Sequence, residues 1–168
     1  MTSAHVKGRP TAKLWQLIDD IKTAMLTTRD GSVLRSRPME LLQNERNGTL
    51  WFFTYASSHK TSEVGGEHAV NLSFADKADQ NYVSISGTAV VVRDRAKAKE
   101  LWTEEQRRWY PQGLDDPELA LLKVDVQQAE YWDRPSAAMV AEQTLVKILT
   151  DETLDLEENA KIKFEDAR

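Results

Sequence analysis

The chain has 168 residues, a formal net charge of −5 and 40% hydrophobic residues, the balance of one ordinary globular domain with a real core. It contains no apolar run of the ~18 residues that a membrane span needs, its acidic charge argues against a coat for nucleic acid or an anionic membrane, and the absence of cysteine excludes disulfides and thiolate metal sites. The opening MTSAHVKGRPTAK holds no apolar h-region, so no secretory signal is expected, and a reducing, cytoplasmic setting fits.

Leu14, Trp15, Leu17, Ile18 and Ile21 recur at helical spacing after Pro10 and Thr11, predicting a short amphipathic opening helix. The next stretch reads as a hairpin: residues 24–28 as one strand, Arg29-Asp30-Gly31 as the turn, residues 32–42 as the return. A second turn signal at 44–48 precedes a third strand over 49–55. Ser58 is a candidate N-cap for a short helix to Glu67, frayed by Gly65-Gly66. Residues 69–76 and 81–94 alternate cleanly as strands; Val83, Ile85 and Gly87 share one side of the second, with Tyr82, Ser84 and Ser86 on the other.

Asp94 opens a helix to residue 102, and a Pro/Gly-punctuated connection follows. LALLKVDVQQAEYWD makes one long strand or two short ones. The pattern from Pro135 to residue 150 fits a strand and a helix equally. Residues 151–168 are rich in acid and poor in large apolar side chains, which predicts a flexible tail beyond a single domain over 1–150. Six or seven short strands with brief helices predict a mainly β fold, an antiparallel barrel with helical inserts. Regular strand–helix alternation, GxGxxG and GxxxxGK[ST] are all missing, so a Rossmann or P-loop nucleotide fold is not expected.

Three constellations could carry chemistry. In RSRPM, alternation puts Arg35 and Arg37 on one face with Ser36 opposite, two guanidiniums about 7 Å apart that could fork a phosphate. Pro38 lacks an N–H and belongs at an edge or bulge. The same pattern describes a solvated edge strand protected by its charge, and spacing alone leaves both readings open. In FFTYASSHKTSEV, Ser57, Ser58 and Lys60 sit where a strand gives way to a predicted helix, whose unpaired N–H groups favour an anion; an ordinary serine cap beside an exposed lysine is the alternative. In AEYWD, Trp132 ends a strand and could lie against a planar ligand or in the core. Trp102 and Trp109 read as packing residues. His5, His59 and His68 are scattered and match no metal pattern, and no Ser/His/Asp set stands out.

LTTRDGSVLRSRPM, LWFFTYASSHKTSEV, YVSISGTAVVVRDRAKAKELW and WYPQGLDDPELALLKVDVQQAEYWD, in that order and spacing, resemble the flavin-binding split barrels related to pyridoxamine 5′-phosphate oxidase, specifically the bacterial general stress protein subgroup. The resemblance implies a six- or seven-stranded split β-barrel forming a homodimer, with FMN, or FAD, at the subunit interface. It implies that Arg35, Ser36, Arg37, Pro38 and Met39 line the flavin and that Phe53 and Thr54 border its ring or ribityl chain. Ser58, His59 and Lys60 would match a Ser-Arg-Lys phosphate cluster, with a titratable His59 in place of a permanent charge. Tyr82 stands where the oxidases often place a glutamine near the flavin, and Trp132 matches a tryptophan contributed by the opposite subunit.

The true oxidase also carries Arg, His and Arg six, eight and ten residues past that tryptophan to hold its substrate; here Ala138, Val140 and Glu142 occupy those places, and Glu142 would repel a phosphate. Pyridoxamine-phosphate oxidation is therefore not expected. What remains is a flavin-dependent oxidoreductase acting on some small molecule, or a flavin store or redox-responsive stress module without efficient turnover. A nucleic-acid-binding barrel is disfavoured by the charge.

Overall fold

The opening apolar stripe folds as expected. In the computed structural model, which describes residues 8–57, 68–134 and 158–164, helix α1 spans Gly8–Ile21 and buries Leu14, Trp15, Leu17 and Ile18. It stops at Lys22, whose left-handed φ of 63° lets its N–H reach the Ile18 carbonyl at 2.9 Å and cap the last turn.

Strands β1 (Thr23–Asp30) and β2 (Val33–Asn44) form the predicted hairpin, with Gly31 at φ 61° in its two-residue tip. Then come β3 (Thr49–Tyr55), β4 (His68–Asp76), β5 (Asn81–Val92), helix α2 (Arg95–Leu101), two 3-10 turns (Glu104–Arg108 and Gly113–Asp115), β6 (Leu119–Asp133) and β7 (Glu158–Lys163). The Asp94 carboxylate accepts from the Lys97 N–H at 2.9 Å and caps α2. The predicted helix after Ser58 and the stretch 135–150 lie outside the described residues.

All strand pairings are antiparallel, in the order β3-β2-β1-β4-β5-β6-β7. β6 is one long strand, and its two halves have different neighbours. From Leu119 to Asp125 it pairs with β3, which closes a six-stranded barrel; from Gln128 to Asp133 it pairs with β7. The change of partner falls at Gln127, the extra residue of a bulge opposite Ser86 and Gly87 of β5.

Inward residues of all six barrel strands, among them Leu26, Phe52, Leu72, Ile85 and Leu122, pack with the apolar face of α1 into the main core. A smaller cluster lies outside the barrel wall, where Trp51 and Phe53 of β3 meet Leu121, Ala98 and the residues following α2.

The expectation of a flexible tail over 151–168 is corrected at residues 158–164. Glu158–Lys163 form β7, and Ala160, Ile162 and Phe164 pack against the main core. Every second residue is apolar, enough for one buried face. The Phe164 ring sits 5.3 Å from that of Trp15, and the Phe164 N–H bonds the Gln127 carbonyl at 2.9 Å. An acidic composition around the strand concealed this short alternation.

Candidate functional site

The register of the first hairpin decides which way each residue of RSRPM faces. Arg35 lies opposite Thr28, Arg37 opposite Leu26 and Met39 opposite Ala24; Leu26, Thr28 and Ala24 are all buried. Arg35, Arg37 and Met39 therefore share the inner face of β2, and Ser36 and Pro38 the outer one, as alternation predicts. Thr27 Oγ1 donates to Ser36 Oγ at 3.2 Å on that outer face. Both terminal nitrogens of Arg37 donate to Thr28 Oγ1, each at 2.8 Å. Arg35 is half-exposed and its guanidinium reaches Asp30 at 3.2 Å.

Pro38 stands where the ladder ends. β2 pairs with β3 only from Leu41↔Phe52 to Asn44↔Leu50, so the missing N–H of Pro38 costs no bond on that side. Beyond Leu41 the two strands part, and a cleft of about 600 Å³ opens along the fork. Pro38, Met39 and Glu40 form one bank, Phe53 and Tyr55 the other, and Trp109 and Tyr110 close it from the connection after α2. Phe53 packs edge-on against Trp102, ring centroids 5.6 Å apart, and tilted against Tyr110 at 5.7 Å. Thr54, the next residue, faces the other way; it is fully buried, and its hydroxyl has no hydrogen-bond partner among the described residues.

The wall that closes the cleft, from the connection after α2, was not legible in the sequence. Tyr55 donates to the Trp109 carbonyl at 3.2 Å and its ring lies 5.0 Å from that of Tyr110. Arg108 approaches Glu40 at 3.7 Å and stands 5.5 Å over the Trp109 ring. Trp109 is 62% exposed, which corrects its reading as a packing residue, whereas Trp102 does pack on Phe53. The run Arg107-Arg108-Trp109-Tyr110 before Pro111 was the available signal, but nothing local ties it to a strand fifty residues earlier.

Burial, with smaller contributions from Tyr55 and Glu40, pushes the Tyr110 hydroxyl well above its ordinary value of 10.0. The cleft therefore presents a protonated phenol at every physiological pH. A raised folded-state value means this contribution to stability is whole below pH 10, where the unfolded tyrosine is also protonated, and is lost as pH rises beyond it. Stability against urea is expected to fall above pH 10, and Tyr110→Phe to flatten that fall. An identical alkaline slope in the variant would count against this assignment.

Tyr82 and Trp132 sit elsewhere. They are directly paired across β5 and β6 and exposed by 42% and 36%. β5 is three strands from β2, about 14 Å at ordinary strand spacing, and Trp132 lies on the half of β6 that pairs with β7. Trp132 is thus not a core residue, and within one chain neither aromatic reaches the fork. Ser58, His59 and Lys60 lie outside the described residues. Among the described residues no group of three or more His, Cys, Asp or Glu side chains is placed to hold a metal ion, and no helix is long and apolar enough to cross a membrane.

Residues 9–155 match the family model described as pyridoxamine 5′-phosphate oxidase like. Protein bli-3 of Neurospora crassa is 31% identical over 121 residues, covering 66% of this chain; the chain spans 58% of that relative's length. General stress protein 26 from Jannaschia superposes with a TM-score of 0.75 at 26% identity, over 93% of this chain and 99% of the other. The general stress FMN/FAD binding protein of Xanthomonas citri does so with a TM-score of 0.68 at 30% identity, over 76% and 90%.

Proposed function

The chain belongs to the pyridoxamine 5′-phosphate oxidase-like family, and on that footing we propose that it is a flavin-binding stress protein that holds FMN at the fork of β2 and β3 in a homodimer. The observation that carries this reading is the convergence of Pro38, Met39 and Phe53 on the cleft at the fork, three residues for which the sequence resemblance implies flavin contact, with Arg37, next to Pro38 in the chain, held by Thr28. The donor set fits such a cofactor. A guanidinium is held one residue before the cleft-lining Pro38, and the aromatic and thioether groups of the cleft offer a planar ring contact area. The Xanthomonas citri relative is described as binding FMN or FAD.

In this reading Arg37 and the cluster Ser58, His59 and Lys60 hold the phosphate, with Arg35 and Ser36 at the rim. Pro38, Met39, Phe53 and Thr54 border the ring and ribityl chain. FAD offers the same ring and first phosphate. Tyr82 and Trp132 are too far to serve the fork of their own chain, so their role here is toward the flavin of the partner in the dimer. A bound flavin supplies the hydride or electron transfer, and no side chain is assigned as acid or base. Ala138, Val140 and Glu142 replace the oxidase's cationic grip, so the substrate is a small molecule other than pyridoxamine phosphate, and the protein works in the cytoplasm.

Titration of the purified protein with FMN is expected to quench flavin fluorescence with micromolar or tighter affinity; the absence of saturable binding would end the proposal. Rapid bleaching of the loaded protein by NADPH, followed by reoxidation with oxygen or a quinone, identifies an oxidoreductase. Sluggish bleaching identifies a flavin store or redox-responsive module, the reading that the missing substrate residues favour.

A further inference from the structure

We propose that Thr28 is a positioning residue for the flavin phosphate, acting through Arg37; the inference rests on the flavin reading above. Thr28 belongs to no motif and carries no charge. It lies on the inner face of β1, 2% exposed, diagonally across the hairpin from Arg37. Its Oγ1 accepts from both Nη1 and Nη2 of Arg37, each at 2.8 Å. One oxygen midway between the two terminal nitrogens takes the end-on edge of the guanidinium. The side-on edge, formed by Nε and one Nη, is the other fork whose spacing matches two oxygens of a phosphate. Engagement from one end sets the plane and direction of the other.

A long arginine loses about 2 kcal/mol of rotamer freedom when it is fixed. Thr28 lowers the part of that cost that falls at binding, because the side chain is already held before a ligand arrives. A β-branched residue suits the task, since χ1 is stiff and the hydroxyl direction is set by the strand. The contrast with Arg35 is informative: its partner Asp30 is half-exposed near the hairpin tip, so a surface ion pair stands where Arg37 has a buried anchor.

The experiment compares FMN with riboflavin, which lacks the phosphate, in the full-length protein. Thr28→Val keeps the shape and removes the acceptor. It is expected to weaken FMN roughly three- to tenfold, to leave riboflavin unchanged, and to cause no further loss in an Arg37→Ala background. Thr28→Ser is expected to restore most of the FMN affinity, and it serves as the test if the valine variant folds poorly. Unchanged FMN affinity in Thr28→Val, with a clear loss in Arg37→Ala, would overturn the positioning role and leave the flavin reading standing. Equal losses for FMN and riboflavin in Thr28→Val would make Thr28 merely structural and overturn it too. No loss in Arg37→Ala would remove the phosphate assignment, and this inference with it.

Discussion

Replacing Gly87 with alanine is expected to cost the fold about 3 kcal/mol or more, read as a fall in melting temperature of roughly 6–12 °C. A Cβ at Gly87 would stand 2.2 Å from the carbonyl oxygen of Asp125 and 3.1 Å from its carbon. Both atoms are backbone, so no side chain can rotate away. The β6 backbone cannot retreat cheaply either. Asp125 is paired with Thr49 on the other side, and the next residue, Val126, donates its N–H to the Gly48 carbonyl at 2.7 Å. Two residues on is Gln127, the bulge at which β6 leaves β3 for β7. A methyl group here pushes on the point where the barrel closes and the C-terminal strand docks. Gly31 is the control. Its φ of 61° makes alanine strained, but nothing lies within 4 Å of the added carbon, so the cost stays near the ~1–2 kcal/mol of a left-handed residue. If urea melts find the two variants equally stable, the close approach at Gly87 is not what keeps that residue a glycine.

The reason for Gly87 is invisible in its own strand. Alternation places it correctly on the inner side of β5, but the constraint comes from a bulge in β6, some forty residues later. Local signals served well where the physics is local. The turn at 44–48 and the aromatic run before Tyr55 mark β3 to the residue, and Asp94 marks the start of α2 because a cap acts within three residues. The inward and outward faces of RSRPM also follow from a period of two.

Three features escaped for non-local reasons. β7 and the residue after it offer Ala160, Ile162 and Phe164, and their packing depends on α1 and the main core. The closing wall of the cleft comes from a connection with no periodicity, brought to β3 by the ring contacts of Tyr110 with Phe53 and Tyr55. Thr28 occupies an ordinary inner slot of a strand, and the diagonal bond from Arg37, which gives it a role, leaves no trace in the local pattern.

Arg37→Ala is expected to weaken FMN binding roughly 10- to 150-fold, the loss of one charge-assisted hydrogen bond at about 1.5–3 kcal/mol. The size follows from where the guanidinium stands. It is partly buried and fixed by Thr28, so its attraction for a phosphate is screened less than that of a mobile surface charge. Arg35→Ala should lose less, because that side chain is 48% exposed and shares an exposed ion pair with Asp30. Lys60→Ala, which removes the second proposed phosphate cation, should match Arg37→Ala in size and, like it, spare riboflavin. That selectivity is the decisive part of the measurement. A loss shared by FMN and riboflavin would put Arg37 beside the ring rather than the phosphate, and unchanged FMN affinity in both variants would leave the fork without its anion. A loss confined to FMN ties the barrel fork to a doubly charged ligand in a protein whose overall charge is −5, where long-range attraction cannot account for it and only cations held in place can.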